Sequence, residues 1–216
     1  MNNCFNRLDS WVVKWFVFFH CLDFTLASIT QKTLLVSVPL PLFGGQIGWK
    51  FKHWETVDDR IRGGVSISNL VPIQHDTLQT ARFYGTLDPS ILNAGFASQR
   101  FIFQQPLDAS AYSGVRLTIL SSDQKTFSLN LLNSYPKDRG DGRKESMINF
   151  KAVFEPSPNS IIELRWKDFK GSNRGRPTND QLNLSNITGC SLMLQSFFGK
   201  QSGDFDLTIQ KIELFK

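Results

Sequence analysis

The sequence predicts an all-β fold, a jelly-roll β-sandwich behind an N-terminal extension. Three observations carry this. From residue 65 onward the apolar side chains recur with a period of two, the mark of half-buried strands. There are about nine such runs, spaced roughly 10–20 residues apart. Helical periodicity is nearly absent, and the strand count suits a jelly roll better than a seven-stranded immunoglobulin-type sandwich.

The runs are expected in this order. Val65 to Val71 is the first and Thr80 to Leu87 the second, the latter with Ala81, Phe83 and Gly85 on one face. Gln99 to Gln105 follows, with Phe101 and Phe103 facing together. Gly114 to Leu120 alternates Val115, Leu117 and Ile119 against Arg116 and Thr118. Thr126 to Leu132 alternates Phe127, Leu129 and Leu131 against Ser128 and Asn130. Met147 to Phe154, Ile161 to Trp166, Cys190 to Phe197 and Asp204 to Phe215 complete the set. In the last run Phe205, Leu207 and Ile209 share one phase and Ile212 and Leu214 the other, so a bulge near Gln210 is expected. The longest connections, 133–146 and 167–188, have the length of functional or mobile loops. The polar stretch Pro136 to Lys144 reads as a solvated loop.

The 216 residues suit one domain, 46–216, plus an extension, 1–45, with the domain starting near Trp49. Nineteen phenylalanines point to a thick aromatic core. A formal charge of +5 is modest and fits either an anionic partner or, more commonly, a mildly basic surface. The three cysteines, Cys4, Cys21 and Cys190, are far apart and give no disulfide framework. Trp11 to Phe19 is apolar but interrupted by Lys14, and is shorter than the roughly 20 residues a membrane span needs. Three readings of the extension stay open: a secretory signal ending near Thr25-Leu-Ala27, a mitochondrial presequence, and an uncleaved segment. Membrane association is expected only through partners or residues 11–30.

The most distinctive stretch is Trp54-Glu-Thr-Val-Asp58-Asp59-Arg60-Ile-Arg62-Gly63-Gly64-Val-Ser66-Ile-Ser68. The glycines permit backbone angles closed to other residues and a close approach by a neighbour. Asp58, Asp59, Arg60 and Arg62 form either a ligand-facing cluster or a structural knot in which an arginine fork pins a turn. Asp58 and Asp59 are poor as a catalytic pair, because adjacent residues of an extended chain point to opposite faces. A calcium site would need more clustered oxygens than this loop offers. A second cluster, Ser172-Asn173-Arg174-Gly175-Arg176-Pro177, places two guanidinium groups around a glycine. Arg174 and Arg176 can grip a carboxylate or phosphate, or form internal salt bridges, Asp58 and Asp59 being candidate partners.

Signatures of catalysis are missing. His53 and His75 belong to no Ser/His/Asp pattern, and no Gly-x-Ser-x-Gly, nucleotide-binding Gly-x-Gly-x-x-Gly, phosphate loop or His-Glu-x-x-His occurs. No Cys/His spacing suits zinc. The aromatic residues alternate inward instead of interleaving with basic ones, which speaks against nucleic acid. Neither cofactor nor metal nor enzymatic activity is expected.

Several segments in order are similar to one family. They are Leu42-Phe-Gly-Gly45, the Trp54–Ser68 stretch, Phe83-x-Gly85-x-Leu87, Gly95-Phe-Ala-Ser-Gln-Arg100 and Leu107-Asp108-x2-Ala111-Tyr112-x-Gly114. Trp166-x2-Phe169, Asn173-Arg-Gly-Arg176, Ser196-Phe-Phe-Gly199 and Gly203-Asp-Phe205 follow. Together, over about residues 42–215, they resemble the complex I intermediate-associated protein family of respiratory-chain assembly factors, most of all its short fungal members. The resemblance implies a galactose-binding-domain-like β-sandwich. It also implies a non-enzymatic, chaperone-like mitochondrial protein whose partners are assembly intermediates of NADH:ubiquinone oxidoreductase and other assembly factors. No catalytic residues carry over. Relatives of that fold include carbohydrate-binding modules, so a carbohydrate- or small-ligand-binding module is the alternative, with a cytoplasmic or secretory location.

Overall fold

The computed structural model describes residues 38–140, except residue 76, and residues 144–216. The expectations for the extension up to residue 37 lie outside the described residues. Alternation of apolar and polar side chains yields thirteen strands among those described. They are β1 (Leu40–Gly44), β2 (Trp54–Thr56), β3 (Ile67–His75), β4 (Leu78–Leu87), β5 (Phe96–Leu107), β6 (Gly114–Ser122), β7 (Phe127–Leu132), β8 (Asn149–Phe154), β9 (Ile161–Arg165), β10 (Lys170–Asn173), β11 (Arg176–Pro177), β12 (Ile187–Gln195) and β13 (Gly203–Phe215).

Two antiparallel sheets result. One has the order β3-β4-β13-β6-β9, with β1 also paired to β13; the other runs β11-β10-β8-β7-β12-β5-β2. All nine expected runs are strands, and the fold is the expected sandwich. The register of β13 on β6 slips between Ile209 and Lys211, which places the bulge at Gln210. The slip keeps Phe205, Leu207 and Ile209 buried on one side of it and Ile212 and Leu214 buried on the other. The freed Gln210 carbonyl accepts a hydrogen bond from Trp49 Nε1 at 3.3 Å.

Three details depart from expectation. The domain begins earlier than residue 46: β1 is a strand of the sandwich, and Phe43 is buried against Trp49, Trp54 and Phe101. β1 pairs with the C-terminal half of β13, and the slip between Pro41 and Phe43 turns the Phe43 ring into the core. The face of the first run is inverted: Ser66 and Ser68 are buried, while Val65 and Ile67 are exposed. In β7 the polar phase is buried as well, with Ser128 and Asn130 as inaccessible as Leu129. The aromatic core falls into two groups, Phe43 with its three neighbours and Phe83 with Phe127 and Phe205. Trp166 and Phe169 close the core at the end of β9, as expected of that segment.

Candidate functional site

The inverted serines explain the Asp58–Asp59 pair. After β2 the chain enters a short 3₁₀ turn, Asp59–Arg62, that ends on Gly63 at a φ of +85°. Both carboxylates turn inward and are almost fully buried, at 2 % and 1 % exposure. Asp58 accepts from Ser68 N at 2.9 Å, Ser68 Oγ at 2.6 Å and Ser98 N at 2.8 Å. Arg60 Nη2 reaches it from the solvent side at 3.3 Å. Asp59 accepts from Ser66 N at 3.0 Å, Ser66 Oγ at 2.7 Å and Phe96 N at 3.2 Å. Gly64 must be a glycine, because a Cβ there would lie 2.4 Å from Asp59 Cγ.

This clasp ties three loops together. Ser66 Oγ also receives Asp88 N at 3.0 Å, and Gly95 exchanges hydrogen bonds with Ser196. The 59–66 turn, the 88–95 loop and the 196–202 loop therefore converge at one end of the sandwich. Gln99, buried beside them, donates to Ser68 O and Thr56 Oγ1. Among the side chains these loops leave outside, several are apolar or basic, beside the carboxylate of Asp88 and the polar Ser90 and Asn93. Ile61, Ile91 and Leu92 are exposed, and Phe198 is exposed to 86 %. Phe197 and Phe198 both hold positive φ, +48° and +59°, an uncommon conformation for a bulky residue. Arg62 lies over the Phe96 ring, 5.5 Å from its centre. Chemically this end can dock an apolar surface carrying negative charge; the acids are saturated with donors and are not free to act as base or metal ligand.

The six residues singled out in the sequence do not form one cluster. Arg174 and Gly175 are the two central residues of the β10–β11 hairpin turn, at φ of +52° and +81°. β11 and β2 are opposite edges of the seven-stranded sheet, roughly 29 Å apart at the usual strand spacing. Arg174 and Arg176 are exposed, with no ion pair among the described residues, and do not pair with Asp58 or Asp59. The sequence reading missed Ser66, Ser68, Ser98 and Ser196; the alternating serines after Gly64 were the available signal.

The two long connections do meet. Between them lies a cavity of about 510 Å³ lined by Asn133, Tyr135, Asn173, Asp180, Gln181 and Asn183, among others. Among the described residues no group of histidine, cysteine or carboxylate side chains could hold a metal ion, and no helix is long and apolar enough to cross a membrane. Cys190 is a free thiol, buried in the core, which pushes its pKa up.

Comparison with known proteins places the chain. A solved family 11 carbohydrate-binding module, from the cellulosomal cellulase Lic26A-Cel5E of Clostridium thermocellum, shares the fold. Its TM-score is 0.58 at 15 % identity, over 83 % of this chain and 95 % of that one. A family 11 module from Clostridium thermocellum in complex with a mixed-linked tetrasaccharide gives 0.51 at 15 % identity, over 76 % and 88 %. At such identity the likeness concerns fold alone. The uncharacterized protein C9E9.15 of Schizosaccharomyces pombe is 33 % identical over 181 residues, 80 % of this chain and 82 % of that protein. The family model for complex I intermediate-associated protein 30 matches residues 43–209, and the chain belongs to that family.

Proposed function

We propose that this protein is a non-catalytic binding factor in the assembly of mitochondrial respiratory complex I, and that it docks through the loop end built on the aspartate clasp. Family membership supports the assembly role. The observation that carries the docking end is structural: two buried carboxylates fix three loops, and those loops hold Phe198, Ile61 and Ile91 in solvent. A rigid platform with protruding apolar side chains loses little conformational freedom on binding. Central aromatic anchors then supply most of the affinity, while Arg60 and Arg62 at the rim orient an acidic partner. Partners would be assembly intermediates and other assembly factors.

The test is affinity purification of C-terminally tagged protein from mitochondria. Wild type recovers complex I subunits, and Phe198→Asp combined with Ile61→Asp loses them while retaining the wild-type melting temperature. Absence of these subunits from the wild-type sample, or equal recovery with the variant, overturns the reading. A second reading, a neutral carbohydrate held by the module, is favoured by the amide-rich cavity beside Tyr135. It predicts that an oligosaccharide raises the melting temperature of wild type and not of Tyr135→Ala.

A further inference from the structure

The β10–β11 hairpin carries a charge that nothing among the described residues answers. Arg174 and Arg176 are exposed and have no ion pair there. Arg174 sits in the left-handed region at a φ of +52°, and Gly175 follows it at +81°. Asn173 and Arg176 are cross-strand partners, so their side chains stand on one face about 5 Å apart at Cβ. Two guanidinium groups held this close together in solvent form a receptor for an oxyanion.

A hydroxyl is held against this hairpin. Ser146, at the end of the 133–146 connection, is exposed, and its Oγ donates to Asn173 Oδ1. The segment that carries it is fixed: Lys144 pairs with Asp138 at 2.7 Å, and Glu145 N donates to Lys137 O at 2.8 Å. Glu145 and Asp180 line the adjoining cavity together with Ser146 and Asn173. An anion placed on Ser146 Oγ is repelled by these two acids and drawn to the hairpin arginines. Ser172 is nearer to the arginines in the chain, but it is half-buried within β10 and donates to Asn149 O at 3.3 Å, so an enzyme cannot take hold of it. In the linear sequence Arg143 and Lys144 stand three and two positions ahead of Ser146, a charge pattern of the kind that kinases read.

We propose that Ser146 is a phosphorylation site whose phosphate is received by Arg174 and Arg176. The γ-phosphoryl group comes from ATP, transferred by a protein kinase that prefers basic residues ahead of serine. The Oγ–P bond forms as the bond to ADP breaks, and the hydroxyl proton passes to the kinase's base. The product carries about two negative charges and three acceptor oxygens. It exchanges one neutral contact with Asn173 for charge-assisted hydrogen bonds to the guanidinium forks. The modification ties the 133–146 connection to the hairpin and withdraws both arginines from any acidic partner outside the chain. This inference uses nothing of the loop end, and either can fail without the other.

The test is phosphorylation of the full folded chain with ATP and the catalytic subunit of a kinase that selects arginine three residues ahead of serine. Tandem mass spectrometry is expected to place one phosphoryl group on Ser146, and Ser146→Ala to remove it. The same phosphopeptide is expected from protein isolated from its own cells with phosphatases inhibited. Phosphorus NMR of the modified chain should give a second phosphate pKa below the ordinary value of about 6, and its melting temperature should exceed that of the unmodified chain. Arg174→Gln combined with Arg176→Gln should raise that pKa by about 0.5–1 unit and abolish the gain in melting temperature, while leaving the unmodified chain as stable as before. Arg174→Lys combined with Arg176→Lys, which keeps the charge, should retain most of the pKa shift. No transfer to Ser146, absence of the phosphopeptide from the cellular protein, or a pKa and melting temperature indifferent to both arginines overturns the proposal.

Discussion

The aspartate clasp and the arginine hairpin look alike as sequence, each a knot of charge around glycine, yet they are opposites in the folded chain. Asp58 and Asp59 are buried and each accepts at least three hydrogen bonds. Arg174 and Arg176 stand in solvent at the far edge of the same sheet. What separates them is the supply of partners. The clasp is followed by Ser66 just ahead of β3 and Ser68 within it, both turned inward, and is approached by the β5 backbone, so its charge is met by donors fixed in place. The hairpin turn is two residues long and has nothing above it. Charge density alone therefore says nothing about whether a cluster holds the fold or faces outward; the polar residues in register around it decide.

The harshest way to break this contrast is Asp58→Ala. It strands Ser68 N and Ser98 N without an acceptor and leaves Ser68 Oγ only the Ser98 carbonyl, at 3.2 Å. A loss of about 3–5 kcal/mol is expected in urea denaturation, as for removal of one partner from a buried charged network. Ser68→Ala, which removes one donor and leaves the carboxylate bonded, should cost about 1–2 kcal/mol. A change below ~1 kcal/mol for Asp58→Ala would put the clasp in the same class as the hairpin.

Gly64→Ala sharpens the same point with one methyl group. The new Cβ would sit 2.4 Å from Asp59 Cγ and Oδ1, so either the turn or the carboxylate must shift, at about 1–3 kcal/mol. Because the clash is with that side chain, the penalty should shrink in an Asp59→Ala background. A double-mutant cycle checks this, and strict additivity would show that Gly64 answers to the backbone instead.

The strands were legible in the sequence because period-two patterning is local, and even the Gln210 bulge was visible as a phase change within one run. The direction of the first run was not. Val65 and Ile67 point out and Ser66 and Ser68 in, because a buried carboxylate opposite them outweighs the apolar preference of two side chains. The partners of Asp58 lie up to forty positions away, and no periodicity reports such a distance. The buried polar floor of β7 escaped for the same reason. Ser128 and Asn130 read as a wet face, and the partners of their side chains, Ser191 and Met193, come from the neighbouring strand β12. The knot itself was readable as one of two options, but the sequence assigned the pinning to an arginine fork, whereas serine hydroxyls and backbone N–H groups do most of it and Arg60 adds one contact at 3.3 Å. That Arg174 and Arg176 take no part in it required the strand order.

Lys151 lies between the extremes, half-buried with one hydrogen bond. Burial lowers its pKa from the ordinary 10.5. In the window below 10.5 the unfolded chain then holds the proton more firmly than the native one, so wild-type stability rises with pH there. Lys151→Met lacks that rise. It should be at least as stable as wild type at pH 7, with an advantage that narrows as pH approaches 10.5, measured as melting temperature across that range. A widening gap would mean that the ammonium is favourably placed in the native state.

The smallest effect is expected at the hairpin, and its sign matters more than its size. Arg174 holds φ of +52° in a two-residue turn where asparagine is the favoured residue. Arg174→Asn should therefore raise stability, by about 0.5 kcal/mol, and Arg176→Ala should change it by no more than that. An arginine that costs stability where asparagine would fit is explained by something its side chain meets outside the fold. If both variants keep wild-type stability or better and yet recover fewer complex I subunits, the hairpin is a second contact point, remote from the clasp. Full recovery would leave recognition to the loop end alone, and a loss of stability on Arg174→Asn would show that the guanidinium has an internal role after all.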